Sequence, residues 1–176
     1  MKGPLVLVTC ALCLVSAGLA TGQTMYPYIS ELKQNFGIVR NNLVKMAEKM
    51  PDEHYGFKPA GEIRSFGEAV AHVADSQARS CSLVNGGEPK VVNAASKKTK
   101  ADLVAALKES SAVCDAAFDA LTDAGAGQMV RLGQSTRERS KLGLLAGVIS
   151  HSNEQYGYMS VYLRLKAIVP PSSEGQ

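Results

Sequence analysis

Few residues in this 176-residue chain combine reactive side chains with a spacing that could support chemistry. Of its three histidines, His72 and His151 fall inside segments whose apolar spacing reads as helix, and His54 falls in a loop. Imidazole changes charge closest to neutral pH, so a histidine can act as acid, base or ligand. Gln155 follows His151 by four residues, and on a helix both side chains project from one strip, together with Val148, Tyr158 and Tyr162. A buried polar tip without a partner costs about 1 to 3 kcal/mol, so such a strip needs a reason for holding two of them. Either His72, His151 and Gln155 form a ligand-binding or catalytic group, or they form a hydrogen-bonded cluster that satisfies itself with a water or two. Glu154 and Asp75 could orient a ligand or carry a proton, although charged residues at this spacing ordinarily lie on a solvated face. His54, with Tyr55, Phe57 and Pro59 around it, is a spare ligand or a residue that fastens a plug over one end of the fold. Beyond the first twenty residues there is no Gly-rich phosphate loop, CxxC or HExxH motif.

Four amphipathic segments must position these groups. Ile29, Leu32, Phe36, Val39, Leu43, Met46 and Met50 recur in steps of three and four, predicting a first helix that stops at Pro51. Ser65 and Glu68 have the spacing of a capping box, which opens a second helix running to about Val84 before Asn85-Gly86-Gly87. Thr99 and Asp102 open a third in a similar way, with Leu103, Leu107, Val113, Cys114, Ala117 and Leu121 on one face. The segment from about Thr122 to Arg139 reads as an irregular loop. A fourth helix spans about Ser140 to Lys166, with Leu144, Leu145, Val148, Ser152, Met159, Tyr162 and Leu165 inward. No segment can bury its stripe alone, so the expectation is an all-α four-helix bundle. Short linkers predict antiparallel neighbours, the longer link between the second and third helices allows an overhand crossover, and the tail from Pro170 reads as disordered.

Composition narrows the function classes. The formal net charge is +3 and the longest basic cluster is Lys97-Lys98-Thr99-Lys100, either an anion contact or, the reading preferred, a solvated loop entering a helix. No basic face of the kind nucleic-acid binders present is discernible, so a nucleic-acid partner is not expected. Lys2, the apolar run Leu5–Ala20 and the small residues Gly18 and Ala20 have the anatomy of a secretory signal peptide over residues 1–20. Its apolar part is short against the roughly 20 residues of a spanning helix, so no stable membrane anchor is expected after cleavage. The expected destination is the periplasm or the exterior. Cys10 and Cys13 would leave with the signal, and Cys81 and Cys114 would remain. These two could pair in an oxidising compartment, but the reading leans slightly to two separate buried thiols, since pairing requires Cα atoms within about 7 Å.

The stretches MPDEHYGFKP, RSFGEAVAHVADSQ and HSNEQYGYMSVYLRLKAIVPPSS resemble those of DinB/YfiT-like proteins, over most of residues 26–174. The resemblance implies a four-helix bundle over residues 26–168 in crossover up-down-down-up order, frequently a homodimer, followed by a disordered tail at 169–176. It also implies a divalent metal, zinc or nickel, on three histidines, one in the second helix and two spaced four apart in the fourth. His72 matches the first, His151 the second, and Gln155 stands where the third is expected. A Gln amide oxygen is a weaker donor to such metals than imidazole, so affinity drops and the metal could be lost altogether. Two imidazoles, an amide and a solvent position would still make an open site for hydrolysis or transfer. Thiol-dependent transfer, also implied by the family, fits poorly with export to a compartment where few thiols stay reduced. The alternative is a non-catalytic bundle that binds a small molecule or serves structurally.

Overall fold

The computed structural model describes residues 28–175, so the signal-peptide reading lies outside the described residues. Four long helices dominate: α1 (Tyr28–Lys49), α2 (Phe66–Val84), α3 (Lys100–Ala120) and α5 (Lys141–Leu165), with a single-turn α4 (Asp123–Ala126) before the last. Their starts have local causes. Ser65 Oγ accepts from the Glu68 amide at 3.2 Å while the Ser65 amide donates to Glu68 Oε2 at 2.6 Å, closing the capping box. At α3 only half of that pattern forms: Thr99 Oγ1 accepts from the Asp102 amide at 3.1 Å and donates its own proton to Asp102 Oδ2. Ser140 Oγ caps α5 through the Gly143 amide. No described helix is long and apolar enough to cross a membrane.

α1 packs on α3 and α5, and α2 packs on the same two helices. The order around the bundle is therefore α1–α3–α2–α5, which sets α1 and α2, consecutive in sequence, across the diagonal. The expectation of short links between adjacent helices fails here: the α1–α2 and α3–α5 connections both cross a diagonal, whereas the α2–α3 link, expected as the possible crossover, joins neighbours. Residues 50–65 span that bundle end because aromatic side chains anchor them. The Tyr55 hydroxyl donates to the Ala47 carbonyl at 2.6 Å, the Tyr162 hydroxyl donates to the Arg64 carbonyl at 2.7 Å, and Tyr55 and Phe57 carbonyls accept from the Gly67 and Phe66 amides. Gly67 is needed at this approach: a Cβ there would stand 3.2 Å from the Tyr55 carbonyl oxygen and 3.3 Å from Leu103 Cδ1. The core is otherwise aliphatic, with Phe36 and Phe118 stacked 4.7 Å apart between α1 and α3.

Four expectations need correction. The segment read as an irregular loop contains α4 and an antiparallel hairpin, β1 (Met129–Arg131) and β2 (Glu138–Ser140), whose three-residue strands are too short and polar to show alternation. Cys81 and Cys114 form a disulfide, because neighbouring α2 and α3 bring their Cα atoms to 4.9 Å. Leu165 points outward with Tyr158 and Val161 on the outer strip of α5, each more than half exposed. Residues 170–175, expected to be disordered, fold as a 3-10 turn at Pro171–Ser173. Lys49 holds that turn through the Val169 carbonyl and Glu174, and the Tyr156 hydroxyl holds it through both the amide and the hydroxyl of Ser172.

Candidate functional site

His72 sits in the second turn of α2, and His151 sits in the middle of α5, the neighbouring helix. Their Nε2 atoms lie 3.0 Å apart, with the rings edge to face at 4.9 Å between centroids. One Nε2 carries the hydrogen and the other accepts it, so at least one ring must be neutral. Burial lowers the His72 pKa, helped by Arg64 and by His151 itself and opposed by Asp75. Burial likewise lowers that of His151, with Glu154 opposing and Arg64 reinforcing. Both imidazoles are thus held neutral, the state in which they serve as metal ligands.

The spacing between the helices is fixed one step deeper in the bundle. Gln77, one turn beyond His72 on α2, is buried and donates to Ser152 Oγ at 3.1 Å, beside His151. Its carbonyl oxygen accepts from Ser110 on α3 at 3.2 Å. Three helices are therefore joined through one amide; the sequence placed Ser152 inward but did not reveal that Gln77 and Ser110, on two other helices, would join it in one network.

Gln155 is buried on α5, as its place on the inner strip requires, but no hydrogen bond joins its amide to either imidazole. Every fully buried side-chain nitrogen and oxygen among the described residues has a partner, so the Gln155 amide retains contact with solvent-accessible space. The expected self-satisfying trio is reduced to a pair. The other sequence candidates separate from it. His54 ends a 3-10 turn at Asp52–His54 and lines neither cavity beside the imidazoles. Asp75 accepts from the Ala94 and Ala95 amides at 2.9 and 3.1 Å, tying the α2–α3 connection to the helix. Glu154 is exposed and accepts from the Tyr158 hydroxyl.

The pair fits a metal in two of its three implied positions. Two ligands at about 2.0–2.1 Å with a tetrahedral angle between them stand roughly 3.3–3.4 Å apart, so opening the observed contact by a few tenths of an ångström admits an ion. Among the described residues no three His, Cys, Asp or Glu side chains gather for such a purpose, which leaves the Gln155 amide or solvent for the third position.

A cavity flanks the pair on each side. The larger, about 800 Å3, has His72 in its wall and Tyr55, Arg64, Arg79, Lys97 and Leu103 among its lining. The smaller, about 250 Å3, has His151, Gln77 and Arg139 in its wall. Arg139, on β2, donates to the Gly143 carbonyl and lies across Gly147, where a Cβ would stand 3.2 Å from its guanidinium. The cationic lining went unrecognised in the sequence because its members come from a loop, a helix and a second loop.

Solved structures share this architecture. A DinB-like protein from Bacillus subtilis superposes with a TM-score of 0.63 at 24% identity, over 78% of this chain and 92% of that one. A DinB-like protein from Bacillus cereus gives 0.67 at 18% identity, over 81% and 95%. A conserved protein from Enterococcus faecalis gives 0.63 at 15%, over 77% and 95%. No curated protein matches the chain. The DinB superfamily matches residues 35–159, which include both imidazoles and Gln155, and with most of its length inside that match the chain belongs to the DinB superfamily.

Proposed function

We propose that this chain is an exported DinB-superfamily bundle that holds one divalent transition metal, zinc or nickel, on His72 and His151, with the Gln155 amide oxygen and solvent completing the shell. The observation that carries this reading is the 3.0 Å approach of the His72 and His151 Nε2 atoms from different helices, with Gln155 buried one turn after His151 on α5. A bound ion supplies Lewis acidity for hydrolysis or transfer. The chain contributes two imidazoles kept neutral by burial, an Arg64 charge that discourages their protonation, and cavities through which a small molecule reaches them. An amide in place of a third imidazole makes the site weak and leaves it open. Export is supported by the apolar leader and by a buried disulfide, a cross-link that persists in oxidising compartments. Few free thiols survive there, so hydrolysis is the chemistry favoured over thiol transfer.

The direct imidazole–imidazole hydrogen bond favours a second reading, in which the pair satisfies itself and the bundle is a metal-free binding or structural protein. Elemental analysis of the purified protein after incubation with zinc or nickel separates the two. The metal reading expects bound ion that His72→Ala and His151→Ala abolish, and a gain in affinity of more than about tenfold from Gln155→His. Absence of bound metal in both the wild type and Gln155→His would leave only the structural reading.

A further inference from the structure

The larger cavity holds more charge than its own carboxylates can neutralise. Glu68 is taken up by the Ser65 cap and by Lys58, and both Asp75 oxygens accept backbone N–H groups. Arg64, Arg79, Lys97 and Lys98 line the same concavity, and none of them pairs with a carboxylate among the described residues. Asp75 keeps its charge despite those two N–H groups, so Glu62 and Asp75 face the four cations and leave an excess of two positive charges. Like charges brought around one recess repel, and water screens them less in a concavity than on an open face. Arg64 and Arg79 share this lining with His72. Apolar side chains share the wall: Leu103 and Tyr55 are buried in it, and Ile63 is 42% exposed.

We propose that this cavity binds a small organic anion, with its carboxylate or phosphate between the Arg64 and Arg79 guanidinium groups beside His72 and its apolar body against Ile63 and Leu103. A guanidinium is suited to either head group, since its planar fork matches two oxygens. A volume of about 800 Å3 exceeds what an inorganic anion fills and falls within the range of small-molecule sites. The four cations are exposed but border one concavity rather than an extended face, which distinguishes this lining from a nucleic-acid surface. Nothing in this assignment requires the imidazoles to hold a metal, so it stands or falls apart from the metal reading.

The test uses the full chain, stripped of metal by EDTA that is then dialysed away, and four phenyl-bearing probes of similar size: benzoate, phenyl phosphate, benzyl alcohol and benzylamine. Calorimetric titration is expected to show benzoate or phenyl phosphate binding at least tenfold more tightly than benzyl alcohol, with benzylamine no tighter than the alcohol. Arg64→Gln/Arg79→Gln should weaken the anion at least tenfold while leaving the alcohol and the melting temperature unchanged. Arg137→Gln, outside the cavity, should change nothing. If the double variant loses stability, Arg79→Gln alone, at an exposed helix position, carries the test with at least a threefold weakening. Equal affinity for all four probes, no binding of any, or wild-type anion affinity in a folded arginine variant would overturn the proposal.

Discussion

Breaking the Cys81–Cys114 cross-link should cost this bundle a large part of its stability without altering its helices. The half-cystines are 33 residues apart, and a closed loop of that length restricts the unfolded chain by about 4 kcal/mol in the chain-entropy account. For a domain of this size about 1 kcal/mol moves the melting temperature by roughly 2–4 °C, so the reduced protein should melt about 8–16 °C lower. Both residues are fully buried, which dictates the protocol. Reductant incubated with the folded protein and removed before the melt should leave the melting temperature unchanged. Unfolding in reductant, blocking the thiols with a small alkylating reagent or keeping them reduced, and refolding should then reveal the loss by calorimetry. Cys81→Ala/Cys114→Ala should melt lower still than the reduced, unblocked wild type, because two buried sulfur atoms are also removed. A refolded reduced protein melting within about 2 °C of the oxidised form would refute the loop-entropy reasoning, and labelling of either cysteine in the untreated folded protein would refute the pairing itself.

Two further outcomes follow from local features. Burial lowers the pKa of both His72 and His151 below the ordinary 6.5, so the unfolded chain takes up protons first as pH falls. Stability is therefore complete above about pH 6.5 and declines below it until the native imidazoles themselves titrate. Melting curves between pH 7.5 and 5 should show this decline, reduced in His72→Gln and His151→Gln, and an equal slope in wild type and variants would exclude the pair as its source. Ala167 ends α5 at φ +58, where a Cβ is unfavourable, so Ala167→Gly should stabilise by roughly 0.5–1 kcal/mol in urea unfolding, and a loss of stability would contradict that account.

The elements that declare themselves locally were legible in the sequence. The second helix is delimited by its Ser65–Glu68 box and the glycines after Val84, and its observed limits follow those signals. The meeting of His72 and His151 was legible because each polar ring sits on a stripe meant for burial. What escaped depends on which helices become neighbours. Pairing of Cys81 with Cys114 requires α2 beside α3, and the gathering of Arg64, Arg79 and Lys97 requires the diagonal connection after α1, neither of which periodicity encodes. The position of the Gln155 tip is a matter of rotamer and helix rotation, finer than a four-residue spacing can specify. The turn at Pro171–Ser173 was hidden because its partners, Lys49 and Tyr156, lie far off in sequence.

The gap between the imidazoles is set from a distance, like the opening of a caliper fixed at its hinge. The Gln77 amide bridges α5 and α3 behind the two rings, and the disulfide locks α2 to α3 one turn farther along. Replacing an amide that touches no ligand would thus be felt at the jaws, as an altered reach between two nitrogens whose own residues had not been changed.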